Sequence, residues 1–158
     1  MPVKKLREFL VGENVKYVLL CHSAAFTAQE IAAKAHIPGK ELAKTVIVSI
    51  DGEMAMAVLP ASYKVDFTSL KEMAGAGRVD LCDEKDFRNK FPGCELGAMP
   101  PFGNLYDMRV FVDETLAEDD EIAFNAGSHT ELVRMAYKDF ERLVQPTVVS
   151  FGAKTLTG

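Results

Sequence analysis

The chain has 158 residues, 48% of them hydrophobic and 26% charged, with 11 Gly and 7 Pro. This balance excludes collagen-like, low-complexity and highly charged disordered polymers, and fits a single globular domain over residues 1–158. The net charge of −5 argues against coating of duplex DNA or RNA, which needs many Lys and Arg contacts to phosphate, but leaves room for a local basic mouth on one strand end.

No apolar run approaches the ~18–20 residues that cross a bilayer. The N-terminal Met-Pro-Val-Lys-Lys-Leu-Arg-Glu turns amphipathic rather than into a signal-peptide core, so a cytoplasmic protein without membrane contact is expected. Cys21, Cys82 and Cys94 are odd in number and lack Cys-x-x-Cys spacing, which indicates neither a disulfide framework nor a zinc site.

In chain order, Val3, Leu6 and Leu10 predict a surface helix stopped by Gly12, and Lys16–Cys21 predicts a strand. Thr27-Ala28-Gln29-Glu30 reads as a capping box opening a helix with Ile31, Ala32 and Ala35 buried, ending near Ile37-Pro38-Gly39. The runs Lys44–Ile50 and Glu53–Leu59 flank Asp51-Gly52, a type I′ hairpin signal. Asp66 caps a helix carrying Phe67, Leu70, Met73 and Ala74, stopped by Gly75 and Gly77; Val79–Leu81 is a strand, and Asp83 caps a short helix through Phe87.

Gly93 to Gly103 is Gly/Pro-rich and aperiodic, a loop of the length that often carries function inside a compact domain. Arg109–Val112, Glu121–Phe124 and Glu131–Met135 follow as strands. A helix then carries Tyr137, Phe140, Leu143 and Val144, with Pro146 beyond its end. The expected fold is an α/β domain of the α+β type: a mixed, largely antiparallel sheet with helices around it rather than a Rossmann-type alternation.

No P-loop, dinucleotide fingerprint or Gly-x-Ser-x-Gly elbow is present. Three small features remain. Lys44 opens an apolar strand on the face of Val46, Val48 and Ile50; its ammonium can enter a cleft, or its stem can cover the core with the head in water. In Gly97-Ala98-Met99-Pro100-Pro101-Phe102-Gly103, the prolines stiffen the loop and cannot donate. The N–H groups of Gly97, Ala98 and Met99 are then free to face an oxyanion, or the segment is an ordinary Pro-rich connection. Gly127-Ser128-His129 lies in a turn between strands, where His129 orients a substrate group or is simply solvated. His22 and His36 are weaker candidates. Cys94 paired with His129 would make a thiol nucleophile, although no helix N-terminus or flanking cation marks the thiol for activation.

Lys44-Thr45 leading an apolar strand, the Gly97–Gly103 segment, Val110-Phe111-Val112-Asp113-Glu114, and Gly127-Ser128-His129 before a Tyr-x-x-Phe helix, in this order, resemble the YbaK/ProX family. This is the prolyl-tRNA synthetase editing-domain superfamily of aminoacyl-tRNA deacylases. The resemblance spans nearly the whole chain and implies a curved mixed sheet, no metal or other cofactor, and trans-editing: hydrolysis of the ester of a mischarged tRNA. It implies that Lys44 lies near the terminal adenosine and its phosphate, that Gly97, Ala98, Met99 and Pro100 bind the aminoacyl carbonyl, and that Gly127, Ser128 and His129 line the pocket. Thr45 stands where some alanine-editing relatives have Asn, so alanyl specificity does not carry over. The implied partners are the single-stranded CCA end of an aminoacyl-tRNA and an aminoacyl-tRNA synthetase that adds affinity, with no duplex DNA and no membrane. A non-catalytic module holding an amino-acid-like ligand or a protein partner is the alternative outside enzymology.

Overall fold

The computed structural model describes residues 4–21 and 41–154. Val3, the capping box at Thr27–Glu30 with its helix, His22 and His36 lie outside those residues. In chain order the elements are α1 (Lys4–Gly12), β1 (Tyr17–Cys21), β2 (Leu42–Ile50), β3 (Glu53–Pro60), β4 (Tyr63–Val65), α2 (Phe67–Ala74) and β5 (Val79–Leu81). There follow α3 (Glu84–Phe87), β6 (Arg109–Asp113), α4 (Glu114–Ala117), β7 (Glu121–Asn125), β8 (Glu131–Ala136), α5 (Tyr137–Val144), β9 (Thr147–Val149) and β10 (Gly152–Lys154).

Local chemistry explains most of these boundaries. Asp51 and Gly52 have φ of 51° and 89°, the paired positive values a type I′ turn needs, and β2 and β3 then pair from Ile50↔Glu53 back to Ala43↔Pro60. The carboxylate of Asp51 also accepts from the backbone N–H of Gly77 at 3.0 Å and of Arg78 at 2.8 Å, which ties the hairpin to the segment entering β5. Asp66 accepts from the N–H groups of Thr68 and Ser69, and α2 ends on left-handed Gly75. Asp83 occupies the N-cap position of α3 without a side-chain capping bond.

The main sheet runs β1-β8-β7-β2-β3-β6-β9, with β5 also paired to β2; β4 and β10 form a separate ribbon. It is mixed and mostly antiparallel, with parallel pairing where β2 meets β7, β3 meets β6 and β6 meets β9. Pleating divides the core. Val110 and Val112 point with Leu6, Leu10, Phe124 and Phe140 to one side, and Phe111 points with Val48, Leu59, Leu70 and Phe151 to the other. Buried Asp113 joins the layers at the end of β6: one carboxylate oxygen accepts from the N–H groups of Phe151 and Gly152, and the other from the N–H and hydroxyl of Thr115. Four donors offset the desolvation of that charge.

The long loop is anchored by the core it crosses. The ring of Phe102 packs 5.5 Å from those of Phe124 and Phe140 and 6.1 Å from Phe9, and Pro100 and Pro101 are buried with it. Among the described residues, no helix is long and apolar enough to cross a membrane.

Candidate functional site

Two segments distant in sequence are laced together. Gly127 N–H donates to the carbonyl of Ala98 at 2.9 Å, and Glu95 N–H donates to the carbonyl of Gly127 at 2.8 Å. His129 adds two bonds: its backbone N–H reaches Glu95 Oε2 at 3.0 Å, and its ring Nε2 lies 2.7 Å from the carbonyl oxygen of Leu96. A carbonyl oxygen only accepts, so Nε2 carries the proton of this bond. The loop and the turn singled out in the sequence therefore form one rigid rim, with the ring of His129 beside Gly97.

Gly97 is exposed at φ 84°, and a Cβ placed on it would lie 3.4 Å from His129 Cε1. The expectation of three free N–H donors needs one correction: Ala98 N–H donates to Glu95 O at 3.1 Å, closing the turn that presents Gly97. The N–H groups of Gly97 and Met99 donate to no described residue. The side chains of Ala98 and Met99 are buried and serve as the footing of the loop. Ser128 is engaged within its own turn, its hydroxyl 3.2 Å from Thr130 Oγ1 and 3.3 Å from Glu131 Oε1.

Lys44 reaches the same end of the sheet by register. Ala43 pairs with Phe124 in the parallel β2–β7 ladder, so Lys44 is the next residue along, beside Asn125 and two positions before Gly127. Across β3 it faces Leu59. Its side chain is half-buried on the face of Val46, Val48 and Ile50, and that burial, reinforced by the positive charge of Lys64, holds its pKa below the ordinary 10.5.

The Cys94–His129 pairing does not form. Cys94 Sγ lies 3.7 Å from the hydroxyl of Tyr106, burial pushes its thiol pKa up, and the His129 ring is committed to Leu96. Cavities of about 840 Å³ beside Tyr137 and about 450 Å³ beside Tyr106 have neither Lys44, Gly97 nor His129 in their walls. Among the described residues, no group of three or more His, Cys, Asp or Glu could hold a metal ion. Sequence reading missed Glu95, whose carboxylate pins His129 from 34 positions away; no local spacing carries that signal.

Comparison with known proteins decides the family. The sequence profile of the aminoacyl-tRNA editing domain matches residues 22–143. The chain belongs to that family. This editing domain is 28% identical over 156 residues to the multifunctional Ser/Thr-tRNA deacylase ProXp-y of Escherichia coli (strain K12), covering 94% of this chain and 91% of that protein. It is 25% identical over 126 residues to the proline–tRNA ligase of Leuconostoc citreum (strain KM20), covering 80% of this chain and 22% of the ligase. Among solved structures, a proposed trans-editing enzyme for prolyl-tRNA synthetase superposes with a TM-score of 0.80 at 18% identity, covering 94% of each chain. A hypothetical protein superposes at 0.81 with 21% identity, covering 94% of this chain and 99% of that one. These two likenesses establish the fold.

Proposed function

We propose that this editing domain acts in trans as an aminoacyl-tRNA deacylase, hydrolysing the ester between a misattached amino acid and the terminal ribose of a tRNA. The observation that carries the reading is the rim itself: an exposed Gly97 under His129, with the N–H groups of Gly97 and Met99 donating to no described residue, at the sheet end where Lys44 sits. The E. coli relative named as a Ser/Thr-tRNA deacylase supports it over nearly the full length of both chains.

The chemistry asks little of the protein. Water adds to the ester carbonyl carbon, the acyl–oxygen bond breaks, and the departing ribose oxygen takes a proton, leaving a free amino acid and a free RNA end. Fixed backbone donors at Gly97 and Met99 stabilise the oxyanion that develops on the carbonyl oxygen. The vicinal ribose hydroxyl lies beside the carbonyl and helps organise the water, so attack needs positioning more than a protein nucleophile. Lys44 holds the anionic strand end, Pro100 stiffens the loop, and Gly127, Ser128 and His129 line the acyl pocket. Recognition confined to the unpaired CCA end suits a chain of net charge −5, and a synthetase partner would add affinity.

A panel of mischarged tRNAs tests the reading. Ester loss from at least one of them, well above the spontaneous rate, is expected. No turnover with any, together with measurable binding of an amino-acid-like ligand, would assign a binding module instead.

A further inference from the structure

We infer that Lys64 is a second cation of the strand-end site, taking a backbone phosphate upstream of the terminal adenosine, whose own phosphate Lys44 holds. This rests on the deacylase reading and extends it to a residue on another element. After β3 the chain turns at residues 61–62 and returns as β4, whose Tyr63 and Val65 pack on the same apolar cluster as Val46 and Leu59. Leu59 is the residue directly opposite Lys44. The β4–β10 ribbon thus folds back over the face on which Lys44 opens, and Lys64, alternating with the two inward side chains, is exposed at that rim.

The chain has 23 acidic residues against 18 Lys and Arg, yet neither lysine makes an ion pair with a described residue; the ion pairs found there use Lys4, Arg78, Arg134 and Arg142. Pro60, opposite Ala43, ends β3 and Lys64 follows only four residues later, so the short turn returns it to the end of the sheet where Lys44 opens, and its positive charge helps to lower the Lys44 pKa. Two cations with no ion pair to a described residue, at the mouth of a site for an RNA end, are matched by a phosphodiester, whose negative charge complements both on binding.

The test compares wild type, Lys64→Ala, Lys64→Arg and, as a control, Lys71→Ala at an exposed position of α2. With a mischarged tRNA the wild type hydrolyses, Lys64→Ala should raise KM roughly three- to tenfold and flatten the slope of log kcat/KM against log salt by about 0.7, the value for one phosphate contact on a single strand. Lys64→Arg should keep both near wild type. On a 3′-aminoacyl-adenosine, which has no upstream phosphate, the Lys64→Ala defect should vanish. A Lys64→Ala enzyme with unchanged KM and salt slope, or one equally impaired on the adenosine ester, overturns the inference. Titration with a 5′-phosphorylated CCA trinucleotide reads the same contact without turnover. Absence of hydrolysis by wild type would therefore remove the deacylase reading, while equal trinucleotide affinity of wild type and Lys64→Ala would remove this one.

Discussion

His129 Nε2 donates to the carbonyl oxygen of Leu96 across 2.7 Å, so a side chain from the β7–β8 turn fixes the residue that precedes Gly97. In the proposed deacylation a small displacement of Gly97 would carry its N–H away from the oxyanion assigned to it, and misplacement by about 1 Å can cost 10²-fold in rate. His129→Ala is expected to lower kcat by about tenfold or more with a smaller change in KM. His129→Gln, which keeps an N–H at similar reach, should recover part of the loss. Equal kcat for all three proteins would show that the bond does not position the loop.

Gly97 and Gly103 close the same segment for different reasons, and substitution separates them. Gly97→Ala meets only van der Waals contact with His129 but must hold a left-handed φ of 84°, a strain of roughly 1–2 kcal/mol, and its methyl would crowd the proposed acyl site. Turnover should fall much further than Tm. At Gly103 a Cβ would overlap the backbone carbonyl of Met108 and the side chain of Val110. Gly103→Ala should therefore lower Tm substantially, and activity should follow the folded fraction. Proportional losses of activity and Tm at both positions would make the Gly97 loop purely structural.

The hairpin and α2 were legible because Asp51-Gly52, Asp66 and Gly75 act through neighbours a few residues away. Strands β4, β9 and β10 are three residues each, and α4 is four; at such lengths, as for β5 and α3, no period shows and only flanking turn or capping residues can mark an element. The site divides along the same line. Glycines, prolines and the lysine at a strand start can be seen one at a time, whereas the lacing of Glu95, Leu96 and Ala98 to Gly127 and His129 bridges about thirty residues and exists only in the fold. The consumption of the Ala98 N–H by Glu95 is a turn bond that composition does not announce.

Lys44→Ala should reduce deacylation by about 10²-fold without unfolding the domain, as expected for loss of one preorganised electrostatic contact. Near-wild-type turnover by a folded variant would remove Lys44 from the site. Its pH behaviour gives a second check. Burial and Lys64 lower its pKa beneath 10.5, so binding that needs the ammonium should weaken as pH rises through that lowered value, earlier than for an exposed lysine. Between the two values the unfolded chain binds more protons than the fold, so this group raises stability with pH in that window. Lys44→Arg, charged throughout, should move the alkaline limb of kcat/KM upward after correction for spontaneous hydrolysis. An unmoved limb would mean another group titrates.

Substrate-assisted hydrolysis and thiol catalysis make opposite demands on Cys94 and on the terminal ribose. Cys94 is half-buried against Tyr106 with its pKa raised, so little thiolate is available at neutral pH, and its sulfur partners the Tyr106 hydroxyl. Cys94→Ser is therefore expected to leave kcat within about twofold of wild type, far short of what loss of a nucleophile would cause. A mischarged tRNA whose terminal adenosine lacks the vicinal hydroxyl should bind with similar affinity and be hydrolysed far more slowly if attack is organised as proposed, because that hydroxyl has been removed from the substrate. A cysteine nucleophile would attack either ester directly and would not survive replacement by a serine lacking a base. Single-turnover measurements on both substrates with both proteins distinguish the two: rapid cleavage of the deoxy ester together with an inactive Cys94→Ser protein would overturn substrate assistance.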